Sequence, residues 1–176
     1  MTYLKTMIVA MAFFAGFSAF AQDDEAKKIM ADVDKAKMKM MQKDPSIESF
    51  FDDSAGYVIF PNVGKGGLVV GAAAGNGILY ENGVAVGSAD LKKLSVGLQA
   101  GGQAIVEAIF FKTEEALNEF KEGDFEFSAG VSAVVLKEGK AESVRYKDGV
   151  AVFAMPKAGL MAEASVGGQK FDYEAF

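Results

Sequence analysis

From Tyr57 onward the chain is written as short apolar runs broken by glycine, a punctuation that suits a compact antiparallel sheet with tight turns. Tyr57 to Phe60 reads as a strand ended by Pro61. Leu68 to Ala74 and Ile78 to Tyr80 read as strands flanking a Gly75-Asn76-Gly77 turn, and Asn82-Gly83 signals a hairpin into Val84 to Val86. Leu94 to Ala100 continues the sheet. Ile105 to Phe111 is apolar except for Glu107, the pattern of a central strand covered on both faces. Thr113 caps a helix through Phe120, with Gly123 beyond its end. Phe125 to Val135 alternates apolar with polar or small residues, as one long half-buried strand or a bent pair does. After an Asp148-Gly149 turn, Val150 to Met155, Leu160 to Val166 and Lys170 to Tyr173 bring the expected strands to about nine, which favours closure into a barrel-like sheet.

The region before this sheet has a different texture. Met1 to Lys5 give a short positive start, Met7 to Phe17 run almost wholly apolar, and Ser18-Ala19-Phe20-Ala21 offers an Ala-x-Ala cleavage site. Residues 1–21 therefore read as a secretory signal cleaved after Ala21, and residues 22–176 as one domain with a helical part at 22–53 and a β-rich part at 54–176. The expected class is α+β. The expected compartment is the periplasm or the exterior. With no cysteine in the chain, neither disulfides nor a lipid-modified cysteine is available after the signal.

Between Ala26 and Lys43, six lysines (Lys27, Lys28, Lys35, Lys37, Lys39 and Lys43) face only Asp32 and Asp34, a local charge of +4. Once Lys5 leaves with the signal the mature chain carries −7, so the remainder sums to −11. That balance opposes binding to nucleic acid phosphates. Asp23 and Asp24 favour a helix start, Asp44-Pro45 ends it, and Ile29, Val33, Ala36 and Met40 form a seam at spacings of four, three and four. Met30 and Met41 flank the seam, and Met38 falls off it. An amphipathic helix with a cationic face is predicted, its seam either packed on the sheet or available to an interface. Pro45 to Asp53 reads as a short second helix turning Ile47, Phe50 and Phe51 inward.

Zero histidine and zero cysteine remove imidazole bases, thiol nucleophiles and the usual zinc ligand sets. No cofactor is expected. The acidic pairs Asp23-Asp24, Asp52-Asp53 and Glu114-Glu115 sit at predicted helix ends, where capping explains them. Glu107 reads as a perturbed acid, a residue facing water from an uncovered patch, or the partner of a lysine. Gly64-Lys65-Gly66-Gly67 lacks the spacing and the hydroxyl residue of a nucleotide P-loop. It is echoed at Lys157-Ala158-Gly159. Lys65 and Lys157 are thus either anion-binding residues beside glycine-rich backbone or ordinary solvated turn lysines.

Three segments, Gly56-Tyr57-Val58-Ile59-Phe60-Pro61-Asn62-Val63-Gly64-Lys65-Gly66-Gly67, Val96-Gly97-Leu98-Gln99-Ala100-Gly101-Gly102-Gln103 and Phe110-Phe111-Lys112-Thr113-Glu114-Glu115-Ala116-Leu117, resemble the SYLF domain in its exported bacterial branch. Gly159-Leu160-Met161 and Gly167-Gly168-Gln169-Lys170-Phe171 extend the match, which covers roughly Met30 to Phe176. The resemblance implies a lipid-binding domain. Its eukaryotic members bind phosphoinositide membranes, partly through an amphipathic N-terminal segment, and some bind actin; an exported bacterial protein meets neither ligand. The expectation is a non-catalytic module for anionic phospholipid or a membrane surface, using Lys27, Lys28, Lys35, Lys37, Lys39, Lys43, Lys65 and Lys157. The alternative is a structural or interaction module whose Met-rich helix docks on a protein partner or on a second copy.

Overall fold

The computed structural model describes residues 26–65, 72–94, 104–123, 125–127, 131–157, 166 and 168–176. Residues 26–43 form helix α1, and a 3₁₀ turn at Pro45–Ile47 leads into α2 (Glu48–Asp53). Strands β1 (Gly56–Lys65), β2 (Ala72–Glu81), β3 (Val84–Leu94) and β4 (Ile105–Phe111) precede α3 (Glu114–Glu122). Strands β5 (Val134–Val135), β6 (Val150–Pro156) and β7 (Gln169–Ala175) follow it. They form a sheet in the order β5-β6-β4-β1-β2-β3-β7, antiparallel throughout except for β5 beside β6. The architecture is α+β.

Local chemistry explains much of this. Asn82 and Gly83 sit at φ 49° and 76°, Asp148 and Gly149 at 49° and 78°, the left-handed pairs that match hairpin twist. Thr113 Oγ1 accepts from Ala116 N at 3.4 Å, and Gly123 closes α3 in the left-handed conformation. β4 is the fully covered strand its composition predicts. Val106, Ala108 and Phe110 enter an outer core with Tyr57, Ile59, Ile78 and Phe153, whereas Ile109 and Phe111 enter an inner one with Val58, Phe60, Leu79 and Phe171. Helices α1 and α2 cover the outer core. Helix α3 seals one end of the inner core, where Leu117 lies against Gly56 and Lys121 pairs with Glu81.

The sheet is strongly coiled but not closed. In the strand order β4 and β7 stand four steps apart, roughly 19 Å across a flat sheet at about 4.8 Å per step. Yet Gln169 Nε2 on β7 donates to Glu107 Oε2 on β4 at 3.1 Å, and the Phe171 and Phe60 rings lie 5.9 Å apart. Only coiling brings them together. The expected closure is not made, because β5 and β7 remain the two edges of the described sheet, and β5 is only two residues long.

Three readings of the sequence are corrected. Pro61 does not end its strand: β1 runs to Lys65 through a one-residue bulge, with two residues between Phe60 and Val63 facing one on β4. A bulge spares Pro61 the ladder N–H it lacks. Gly75-Asn76-Gly77 is not a turn but the middle of β2, where the absent side chains let β1 approach closely. Phe125 to Val135 does not form the long strand: within this stretch the described residues pair as a strand at Val134–Val135, because Phe125 and Phe127 turn into the inner core against Phe171. The leader expected at 1–21, the strand expected at 160–166 apart from Val166, and most of those expected at 68–74 and 94–100 lie outside the described residues.

The glycine correction yields a paired prediction. A Cβ on Gly77 would stand 2.6 Å from the Ile59 carbonyl oxygen and 2.7 Å from the Phe60 ring, whereas one on Gly64 meets nothing within 4 Å. Gly77→Ala should therefore cost about 1–3 kcal/mol through forced backbone movement. Gly64→Ala should leave stability unchanged or raise it by about 0.4–1 kcal/mol, since it only restricts the unfolded chain. Urea midpoints of the two variants check the opposite signs.

Candidate functional site

Helix α1 carries the largest concentration of cations in the described structure, and its docking decides which of them reach solvent. Val33, Ala36 and Met40 are buried in the outer core, with Ile29, Met30 and Met41 packed beside them. The predicted seam is packed on the sheet. Lys27, Lys28, Lys35, Lys39 and Lys43 are exposed on the other faces. At 3.6 residues per turn, Lys28, Lys35 and Lys39 fall within a narrow stripe along the helix and Lys43 continues it. Asp32 lies in the same stripe and pairs with Lys35 at 3.4 Å; this exposed pair is worth little and opens easily.

Lys37 departs from the expected cationic face. Its Nζ donates to Tyr57 Oη at 2.9 Å and sits 4.5 Å from the Phe51 ring centroid and 4.9 Å from that of Tyr57. The aliphatic stem lies along the core while the ammonium rests on aromatic faces. Lys37 therefore fastens α1 to the sheet and does not belong to the outer stripe. Tyr57 in turn stacks on Tyr80, with centroids 5.1 Å apart and planes 11° from parallel.

Lys65 and Lys157 stand at the same end of the sheet, where β1 and β6 end and β4 begins. Lys65 backbone pairs with Ala73, and Lys157 is exposed with its Nζ donating to Asn62 Oδ1 at 3.1 Å across the β1 bulge. This end is on the order of 25 Å along β1 from Tyr57, at about 3.3 Å per residue. Lys37 is thus far from both.

Asp44, read from the sequence only as a helix terminator, organises the whole corner. It is fully buried, and its carboxylate accepts from Ser46 N at 3.1 Å, Ser46 Oγ at 2.6 Å, Gly139 N at 3.1 Å and Ala141 N at 2.7 Å. Burial raises its pKa, but the Ser46 hydroxyl and the three backbone N–H groups outweigh it and hold the carboxyl below its ordinary value. The Asp-Pro-Ser order was the available signal, since Asp before Pro is an N-cap arrangement. Glu107 is 1% exposed and does not face water; it accepts from Gln169 inside the coiled sheet.

Burial and the nearby charges of Asp34 and Tyr57 push the Tyr80 hydroxyl up to about 12, and burial with Asp53 does the same for Tyr146. Folded-state values above the unfolded one mean stability that is complete below about pH 10 and is lost as pH rises toward 12. Ultraviolet titration should show Tyr80 and Tyr146 still protonated near pH 11, and urea midpoints should fall between about pH 10 and 12. Phe replacement at either position should reduce that fall.

No family model matches the chain. It is similar to Beta cell expansion factor A of Aeromonas veronii. The two are 25% identical over 140 residues, covering 78% of this chain and 53% of that protein. The chain spans about half the length of the curated relative it matches. No described helix is long and apolar enough to cross a membrane, and no described cluster of three or more Asp or Glu residues could hold a metal ion.

Proposed function

We propose that the protein is an exported, non-catalytic member of the SYLF family that attaches reversibly to anionic phospholipid surfaces through the solvent-facing side of α1. The observation that carries this reading is the division of labour on α1: its apolar seam is buried while five of its six lysines are exposed. Export rests on the leader at 1–21, and family membership on the quoted motifs together with the distant similarity to Beta cell expansion factor A.

Because the seam is occupied by the core, attachment is electrostatic and peripheral. Each well-placed lysine contributes roughly 1 kcal/mol near an anionic leaflet, and exposed charges are screened beyond about 8 Å at physiological salt. Lys157, exposed at the sheet end, is a separate, secondary contact. The Met-rich docking alternative is less favoured, as Met30, Met40 and Met41 all turn toward the core. Sedimentation with phosphatidylglycerol vesicles tests the reading. Binding at low salt that vanishes at high salt and with neutral phosphatidylcholine supports it; no binding to anionic vesicles at low salt refutes it.

A further inference from the structure

Four methionines lie within twelve residues on α1, and the structure grades their exposure steeply. Met40 is 0% exposed and Met38, two residues earlier, is 55% exposed, while Met30 and Met41 are half-buried against the outer core. Met38 is also one of few large apolar side chains left open on the described surface. A thioether needs no ionisation to react, so its susceptibility follows access of the oxidant to sulfur.

We infer that Met38 is the site on α1 where oxidants of the peroxide class act first, giving methionine sulfoxide. A sulfur lone pair attacks one peroxide oxygen, the S–O bond forms as the O–O bond breaks, and the departing oxygen takes up a proton and leaves as water. Sulfur loses two electrons and the peroxide gains them. The added oxygen at Met38 points into solvent, so the docked seam is untouched. Oxygen on Met40 would instead place a polar group among Ile47, Ile59 and Phe110, which requires α1 to open first. Helix α1 therefore takes its first oxygen without losing its seat.

Hydrogen peroxide treatment of the folded mature chain, followed over time by peptide mass spectrometry, tests this directly. Met38 sulfoxide should form at least about tenfold faster than Met40 sulfoxide, since Met40 waits on local opening. The thermal midpoint should stay unchanged while Met38 alone is modified. Met38→Leu should abolish the fast oxygen uptake in the α1 peptide. A Met38 to Met40 rate ratio below ten, first oxygen on Met30 or Met41, or fast uptake surviving in Met38→Leu would each overturn the inference.

Discussion

Replacing Asp44 by alanine should lower the unfolding free energy by about 3–5 kcal/mol, the range seen when one side of a buried charged network is removed. The carboxylate is fully buried and satisfies donors from Ser46, Gly139 and Ala141; alanine leaves three backbone N–H groups without it. An orphaned buried donor costs about 1–3 kcal/mol, and whole domains are stable by only about 5–15 kcal/mol. Asp44→Asn keeps one acceptor but turns an amide N–H₂ toward an existing donor, so it should lose at least about 2 kcal/mol. The native value is depressed, so this stability is present above the unfolded carboxyl value and is lost as pH falls from there through the lower folded value. Urea titrations at neutral and acid pH check both statements: the gap between wild type and Asp44→Asn should narrow on acidification. A loss under about 1 kcal/mol in Asp44→Ala would show that the corner does not depend on this residue.

The contrast between Asp44 and β4 shows what the sequence makes legible. Ile105–Phe111 announces itself locally, through composition alone, as do the Asn82-Gly83 and Asp148-Gly149 hairpins and the Thr113 to Gly123 helix caps. Asp44 draws two donors from residues 95 and 97 positions away, and no local pattern carries that information. Gly75 and Gly77 resemble a turn because turns and close strand approaches both call for a missing side chain; only the Phe60 ring and Ile59 carbonyl decide between them. Coiling, which brings Gln169 onto Glu107, is a property of seven strands together. At the candidate site, the seam of α1 was readable from spacing. The inward turn of Lys37 was not, because it depends on Phe51 and Tyr57 standing beneath it.

Reversing Lys28, Lys35 and Lys39 to glutamate should have the largest effect on function. These three residues are exposed and lie on one stripe of α1, so the variant should fold and melt like the wild type. Their loss removes roughly 3 kcal/mol of attraction to an anionic surface, and three new carboxylates add repulsion of similar order. A loss of roughly 3 kcal/mol is already more than 100-fold in affinity. Lys37→Glu should behave differently, disturbing the docking of α1 on Phe51 and Tyr57 and lowering thermal stability. The decisive measurement is the affinity of the folded triple variant for phosphatidylglycerol vesicles at low salt, beside the wild type. The proposed attachment predicts a loss of at least about 100-fold; vesicle binding equal to that of the wild type would contradict it.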